Sequence, residues 1–463
     1  MPNNWKTYKL EEICDLIVDC PHSTPKWKDH GITVLRSNNI RNGKLNFDKE
    51  SFTDEQHYNQ RVKRAIPQGG DLVITREAPM GEVCMLPDEL KCCLGQRMVL
   101  IRPSNMVDNA FLLYAIQAKE VQNQIMIYEG TGSTVSNLRI PVLEALNIPF
   151  PTLPEQRAIA SILSSLDDKI ELNLQMNKTL EEMAMTLYKH WFVDFDFPVP
   201  SPPFKEEYPK GEVVNNHPAL QAPLLQRRGS AGGYKSSGGQ FIDSELGLIP
   251  EGWEVKRLGD IAEVGSSKRI FLKEYIEEGI PFYRGKEIIQ LSKGANISTE
   301  LFISLERYNE IKEKFGVPLK HDILISSVGT IGVSWLVEND QPFYFKDGNL
   351  TWIKNYSKRV NGNFISQWLR SNETQDQIKN ETIGSTQQAL TISALRTLKL
   401  ALPPIQSDII NDVSGKFDQW NELFIANKRE IETLTALRDT LLPKLISGEI
   451  RVKDAEQTVA EVL

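Results

Sequence analysis

Cysteine is scarce in this chain and confined to one end. Five occur in 463 residues (Cys14, Cys20, Cys84, Cys92 and Cys93), all within the first 93. They form no Cys-x-x-Cys pair, and no later cysteine could bridge to them. A disulfide framework for the whole chain is excluded, and buried free thiols in a reducing cytoplasm are expected. Long apolar runs are missing too. No stretch of eighteen apolar residues occurs, so no helix should span a bilayer. The opening "MPNNWKTYKLEE" has no basic-then-apolar leader pattern, so the protein is read as cytoplasmic. The six histidines (His22, His30, His57, His190, His217 and His321) are scattered without ligand spacing, and no metal is expected. No GxxxxGK[ST] loop, HExxH helix or G-x-S-x-G elbow is present. Nor is there the Asn-Pro-Pro-aromatic tetrapeptide that amino-methyltransferases use. The chain therefore offers no catalytic site of its own.

A surplus of positive charge is also absent. The 53 basic and 61 acidic residues give a net charge of −8, which argues mildly against nucleic acid. Its distribution weakens that argument. Residues 1–153 hold 17 basic and 18 acidic groups, and residues 248–402 hold 20 and 19. The acidity lies elsewhere, so each balanced segment could still turn one basic face to phosphates.

What the chain does contain is a repeat. "GTGSTVSNLRI" (130–140) and "TIGSTQQALTI" (382–392) share five of eleven positions. At nearly the same offset, "WKTYKLEEI" (5–13) matches "WEVKRLGDI" (253–261), and "GITVLRSNNI" (31–40) matches "GIPFYRGKEI" (279–288). "DLVITREAPMG" (71–81) matches "DILISSVGTIG" (322–332), and "PEQRAI" (154–159) matches "PIQSDI" (404–409). Each match is weak alone, but collinear order makes chance a poor explanation. Two copies are too few for a solenoid, so each must be a self-sufficient module.

Each module opens with about 150 residues that read as mixed α/β. "DLVIT" and "DILISS" are short apolar runs closed by polar residues, and "FLLYAIQA" (111–118) reads as a helix. A long helix follows. From Ile159 the pattern steps by four and three through Leu163, Leu166, Ile170, Asn173, Asn177, Leu180, Ala184, Leu187 and Trp191. That is the spacing of a coiled-coil seam. The second copy gives Ile409, Val413, Lys416, Trp420, Leu423, Asn427, Glu430, Leu434, Leu437 and Leu441. Asn177 and Asn427 take the same seam position, where a polar residue fixes register or sits on a solvated rim. Pro443 should kink or restart the second helix, and Gly448 should stop it. The stretch after Pro198, with "RRGSAGGYKSSGGQ", reads as an extended linker.

Candidate contacts come from the repeat and from side-chain chemistry. Arginine can take guanine with two bonds and asparagine can take adenine. That nominates Arg36, Asn38, Asn39 and Arg41 in the first module and Arg284 and Lys286 in the second. Arg76 and its region's counterparts Ser326 and Ser327 follow. The Gly-Ser-Thr turns add Ser133, Thr134, Ser385, Thr386 and Gln387, either as phosphate donors or as plain loop turns. Asp71 and Asp322 are equivalent. They read as caps before a strand in preference to carboxylates of a site.

At this point the residues resemble a known family, the specificity subunits of type I restriction–modification systems. The resemblance covers essentially the whole length. It is carried by "LPEQRAIASILSSLDDKIELNLQMNKTLEEMAMTLYKHWFVDFDF" (153–197), "YKSSGGQFIDSELGLIPEGWEVKRL" (234–258) and "LPPIQSDIINDVSGKFD…LLPKLISGEI" (402–450). It implies an α+β fold made by tandem duplication. Two target-recognition domains (1–153 and 248–402) are each followed by a helical spacer (154–196 and 403–450). A linker (197–247) joins the halves and a tail (451–463) ends the chain. The two helices should pack as an antiparallel coiled coil with pseudo-two-fold symmetry. Each recognition domain should read one half of a split site in double-stranded DNA. Two methyltransferase subunits, holding S-adenosylmethionine, should dock on the helical regions. Two motor-nuclease subunits, using ATP and Mg, can join. No cofactor is implied for this chain itself. The segment after Pro198 is longer than a plain connector, and an insertion or docking role is open for it. Two rival readings are a duplicated ligand-binding scaffold and an enzyme with a site between the repeats.

Overall fold

The structure, a computed structural model, describes residues 5–127, 137–199, 233–295, 297–382 and 388–463. The chain forms two compact units. One is Met1–Leu174 with Arg429–Leu463, and the other is Gln175–Lys428.

In the first unit, strand Lys6–Lys9 pairs antiparallel with Asn147–Phe150, Lys6 opposite Phe150. The start of the module is thereby zipped to its end. Between them lies an antiparallel sheet in the order Cys14–Asp19, Met98–Pro103, Leu72–Thr75, Val83–Met85. Side chains alternate across a strand, and here both faces are covered. Leu72, Ile74, Val99 and Ile101 face the helix Asn109–Gln117, whose Phe111, Leu112 and Ala115 are fully buried. Val73, Cys84 and Leu100 face the other way, against Leu35, Ile40 and Cys92. This is why "DLVIT" reads as an unbroken apolar run instead of an alternating one. The opposing layer is a smaller sheet in which Ile32–Leu35 runs parallel to Cys92–Leu94 and antiparallel to Phe52–Thr53.

The second unit repeats this topology. Glu254–Arg257 pairs with Lys399–Leu402. The main sheet is ordered Glu263–Gly265, Leu350–Lys354, Ile323–Ser326, Ser334–Leu336. In the smaller sheet Ile280–Tyr283 again runs parallel to a late strand, Tyr344–Phe345. Ile323 and Ile325 face Phe364, Ile365 and Trp368 of the helix Gly362–Arg370, and Leu324 faces Phe282 and Phe345. The chain is thus α+β with a duplicated module, as the repeat implied.

Two long helices follow the modules: α1 (Leu153–Tyr188) and α2 (Ile409–Ser447). They run antiparallel within each unit. In the first unit Asn173 meets Glu430 at 2.9 Å and Asp167 meets Arg438 at 2.8 Å, so one number falls as the other rises. In the second, Asn177 meets Asn427, and Trp191 lies under the Lys416 ammonium at 5.9 Å. The predicted seam of α1 is observed: nine of its ten positions are buried and Leu187 is half-buried. The seam of α2 needs correction between residues 409 and 423. Lys416 and Leu423 are exposed, and the buried positions are Ile410, Val413 and Phe417. Predicted Val413 is fully buried and Trp420 packs on the same core, so the seam holds at those steps; at the lysine step Phe417, and not Lys416, enters the core.

Pro443 does not restart α2, which runs through it to Ser447. Proline forfeits one i→i−4 bond, but Leu441, Leu445 and Ile446 on either side are buried in the first unit's core and hold the turn. Gly448 then ends the helix with φ +72°, and the Glu449 N–H returns to the Lys444 carbonyl at 2.8 Å. Of the stretch read as linker, Phe197 stacks on Tyr234 and Trp253, and Phe241–Ser244 forms a hairpin with Gly247–Pro250. Residues 200–232 lie outside the described residues. No helix among the described residues is long and apolar enough to cross a membrane.

Candidate nucleic-acid interface

In each module the Arg36-type loop leaves the end of a strand that has a parallel neighbour. Ile32–Leu35 delivers Arg36, followed by a short 3-10 turn, Ser37–Asn39. Ile280–Tyr283 delivers Arg284, followed by the helix Gly285–Leu291. The next residue of the parallel neighbour bonds back: the Gly95 N–H donates to the Leu35 carbonyl, and the Lys346 N–H to the Tyr283 carbonyl. In both loops the side chain three residues on turns back to cap the arginine's backbone. Asn39 Oδ1 accepts from the Arg36 N–H at 3.0 Å, and Glu287 Oε2 accepts from the Arg284 N–H at 2.8 Å. Both capping residues are buried. Asn39 also donates to the carbonyls of Asn46 and Lys49. Its amide is therefore consumed inside the loop, leaving nothing to offer an adenine.

The two arginines differ. The Arg36 side chain is exposed, lies 5.3 Å over the Trp27 ring, and has no ion-pair partner among the described residues. Arg284 gives Nε and Nη2 to the Glu287 carboxylate, at 3.2 and 2.8 Å. Asn38, Arg41 and Lys286 are exposed, with Arg41 Nη1 donating to the carbonyls of Ser37 and Ile40.

A second shared frame lies after the central strands. Thr75 and Ser326 are equivalent: each hydroxyl accepts a backbone N–H, from Glu82 and from Val333, both at 3.0 Å. Arg76 and Ser327 come next, and each carbonyl receives an N–H from the far end of the Gly-Ser-Thr segment, Leu138 or Leu390. Ser326 and Ser327 are buried, the latter paired with the Thr351 hydroxyl at 2.7 Å. Arg76 is spent as well: Asp19 holds it at 2.9 Å, the Leu138 carbonyl at 2.8 Å and Asn137 at 3.1 Å. These three hold the frame. Ser133, Thr134, Ser385, Thr386 and Gln387 lie outside the described residues.

Asp71 and Asp322 act as the caps expected of them. Each accepts the N–H of the residue three before it, Gln68 or Leu319. Asp71 then pairs twice with Arg102, at 2.8 and 2.7 Å, whereas Asp322 takes the Trp352 indole N–H at 2.8 Å. Burial pushes the Asp322 carboxyl above its ordinary range. The same cause pushes the thiols of Cys14, Cys84 and Cys92 up to about 12, so they are inert at neutral pH. No cluster of His, Cys, Asp or Glu among the described residues could hold a metal.

Four glutamines escaped the sequence reading. Gln122 Nε2 donates to the carbonyls of Gly81 and Ile116, and Gln375 to those of Gly332 and Leu369. Gln124 exchanges two bonds with the Asn147 backbone, and Gln377 does the same with Lys399. Their signal was present as "EVQNQI" (120–125) against "ETQDQI" (373–378), a further arm of the repeat.

The fold is shared with a solved structure. The type-I restriction-modification system S subunit from M. genitalium superposes with a TM-score of 0.52 at 18% identity, covering 96% of this chain and 97% of that one. Residues 2–182 and 250–433 each match the family model described as type I restriction modification DNA specificity domain. The chain belongs to this family of specificity subunits, whose part is the recognition of DNA sequence. Similar relatives include the type I restriction enzyme MjaIX specificity subunit of Methanocaldococcus jannaschii, 29% identical over 98% of this chain and 95% of that protein. The HindI specificity subunit of Haemophilus influenzae is 24% identical over 84% and 88%.

Proposed function

We propose that this chain reads a split, asymmetric site in double-stranded DNA, one half-site per module. It directs methylation by two methyltransferase subunits that carry S-adenosylmethionine. Two restriction/translocase subunits, using ATP and Mg, can add cleavage. The chain contributes recognition and no catalytic group. The observation that carries this reading is one backbone frame built twice with different chemistry at its loops. Arg36 is open where Arg284 is closed by Glu287, and Arg76 stands where the second module has Ser327. Identical modules would read a symmetric target, whereas these should not.

Exposed Arg36, Asn38, Arg41 and Lys286 are the contacts this reading favours, with the hydroxyls of the two Gly-Ser-Thr turns. The modules are residues 1–153 and 248–402, and the helices after them set the unread gap. At 1.5 Å per residue, the 36 residues of α1 span ~54 Å. That exceeds one turn of DNA, ~34–36 Å. Asn177 and Asn427 fix the register of the helix pair. The test is co-expression with the methyltransferase subunit of the same system and mapping of methylated bases across host DNA. A single split, asymmetric motif is expected. A complex that forms and binds the methyl donor but yields no motif would overturn the reading.

A further inference from the structure

The two arginine loops are repeat equivalents with the same backbone cap, so their difference isolates side-chain chemistry. Guanine presents two acceptors, N7 and O6, to the major groove, and a guanidinium matches them with two parallel donors. To do so it must be unpaired, solvent-facing and held in one plane.

Arg36 meets each condition. It has no carboxylate partner among the described residues, and Trp27, itself 46% exposed, braces its guanidinium at 5.3 Å. A cation–π contact of this kind restrains a guanidinium without occupying its donors. The loop is also held from behind. A Cβ at Gly95 would lie 2.7 Å from the Leu35 carbonyl and 3.3 Å from Arg36 Cγ, so only glycine admits this approach. Arg284 fails the first condition, although 37% of its side chain is exposed. Its fork is already filled by Glu287, a carboxylate with 1% of its side chain exposed. Releasing it toward a base would strand a buried negative charge. Trp27 is matched in the second module by Tyr275, since Lys28 and Ile276 pair with the equivalent Phe52 and Phe302.

We propose that Arg36, braced on Trp27, is a specificity-determining residue that reads a guanine in the half-site of the first module. Arg284, its repeat equivalent, reads no base. The inference rests on the DNA-reading function proposed above and goes beyond it by assigning the base that Arg36 reads and by excluding Arg284.

The test uses the full chain in its methyltransferase complex, with methylated motifs mapped for wild type, Arg36→Lys, Arg36→Gln, Trp27→Ala and Arg284→Met/Glu287→Gln. The last variant keeps an acceptor for the backbone cap while removing both charges. Arg36→Lys keeps the charge but loses the fork. Both Arg36 variants should relax one G·C position of one half-site, with a loss of discrimination of about 10- to 100-fold. The other half-site should be unchanged. Trp27→Ala should relax the same position more weakly, and the Arg284/Glu287 variant should leave the motif intact. Uniformly weaker methylation of an unaltered motif by both Arg36 variants would make Arg36 a phosphate contact and overturn the proposal. A motif altered by the Arg284/Glu287 variant would overturn its second half. If wild type itself gives no split motif, the function proposed above falls, and this inference with it.

Discussion

Asn427 Nδ2 donates to Asn177 Oδ1 at 2.9 Å across the helix pair, and the two residues are the same position of the repeat. Each is only 8% exposed. A position that meets its own equivalent is what an antiparallel pairing of repeats produces at one point and nowhere else. A polar pair there penalises a slipped register, since one step of slip breaks the pair and sets one amide against leucine, Asn427 against Leu180 or Asn177 against Leu423.

Asn177→Leu alone should strand the Asn427 amide in a dry seam. The expected loss is about 1–3 kcal/mol in unfolding free energy. Asn177→Leu/Asn427→Leu together should recover most of it, because two apolar partners replace a satisfied pair. Urea midpoints of the four proteins in the cycle check this. A double variant as damaged as the single would mean that the two amides are not coupled.

The equivalent aspartates should respond to different degrees. Asp71→Asn leaves Arg102 without its paired carboxylate and should cost about 2–4 kcal/mol. Asp322→Asn keeps an acceptor for the Trp352 indole and should cost little at neutral pH. The sign follows from the raised folded-state pKa of Asp322. Its folded form binds the proton more tightly than the unfolded chain, so stability is greatest below the unfolded value near 3.8 and falls as pH rises through the folded one. Asp322→Asn should remove that decline. A stability–pH profile just above the ordinary carboxylate range, identical for wild type and variant, would refute it.

Asp167 joins three elements of the first unit. Its Oδ2 accepts from the Tyr114 hydroxyl and its Oδ1 from Arg438 Nη1, both at 2.8 Å. Asp167→Ala should lower stability by about 2 kcal/mol, since the Arg438 Nη1 and the Tyr114 hydroxyl both lose this carboxylate, while Asp439 still holds Arg438 at 2.7 Å and Ser164 stands 3.4 Å from the hydroxyl. Tyr114→Phe should lose only about 1 kcal/mol. Equal effects of the two variants in thermal unfolding would show that the arginine pair contributes nothing.

Removing four residues from each seam should keep both half-sites and shorten the unread gap between them. Methylome mapping of the deleted chain in its complex reads this directly. An unchanged gap would mean that the helices are not the ruler.

The duplication was fully legible, because collinear matches need only one dimension. So was the seam of α1, where leucine and isoleucine recur at fixed spacing. In the first half of the α2 seam Val413 is buried as the spacing predicts, whereas Lys416 and Leu423 satisfy the spacing equally well and are exposed, with Phe417 in the core beside Lys416. Spacing alone cannot say which of two adjacent stripes faces the partner. Of the loop candidates, Arg36, Asn38, Arg41 and Lys286 are where a surface reader would need them. Asn39, Arg76, Ser326 and Ser327 carry hydrogen-bonding chemistry that the fold uses on itself.

By itself the sequence determined the order of elements, the two-fold repetition and the helical stripes, since these follow from periodicity and local propensity along the chain. Only the tertiary structure decided which polar groups remain available. That depends on what stands opposite each one: Glu287 against Arg284, Asp19 against Arg76, and against the Arg36 guanidinium, among the described residues, the face of Trp27. A side chain's chemistry is written in its residue type, but whether it is already satisfied is a property of its neighbours.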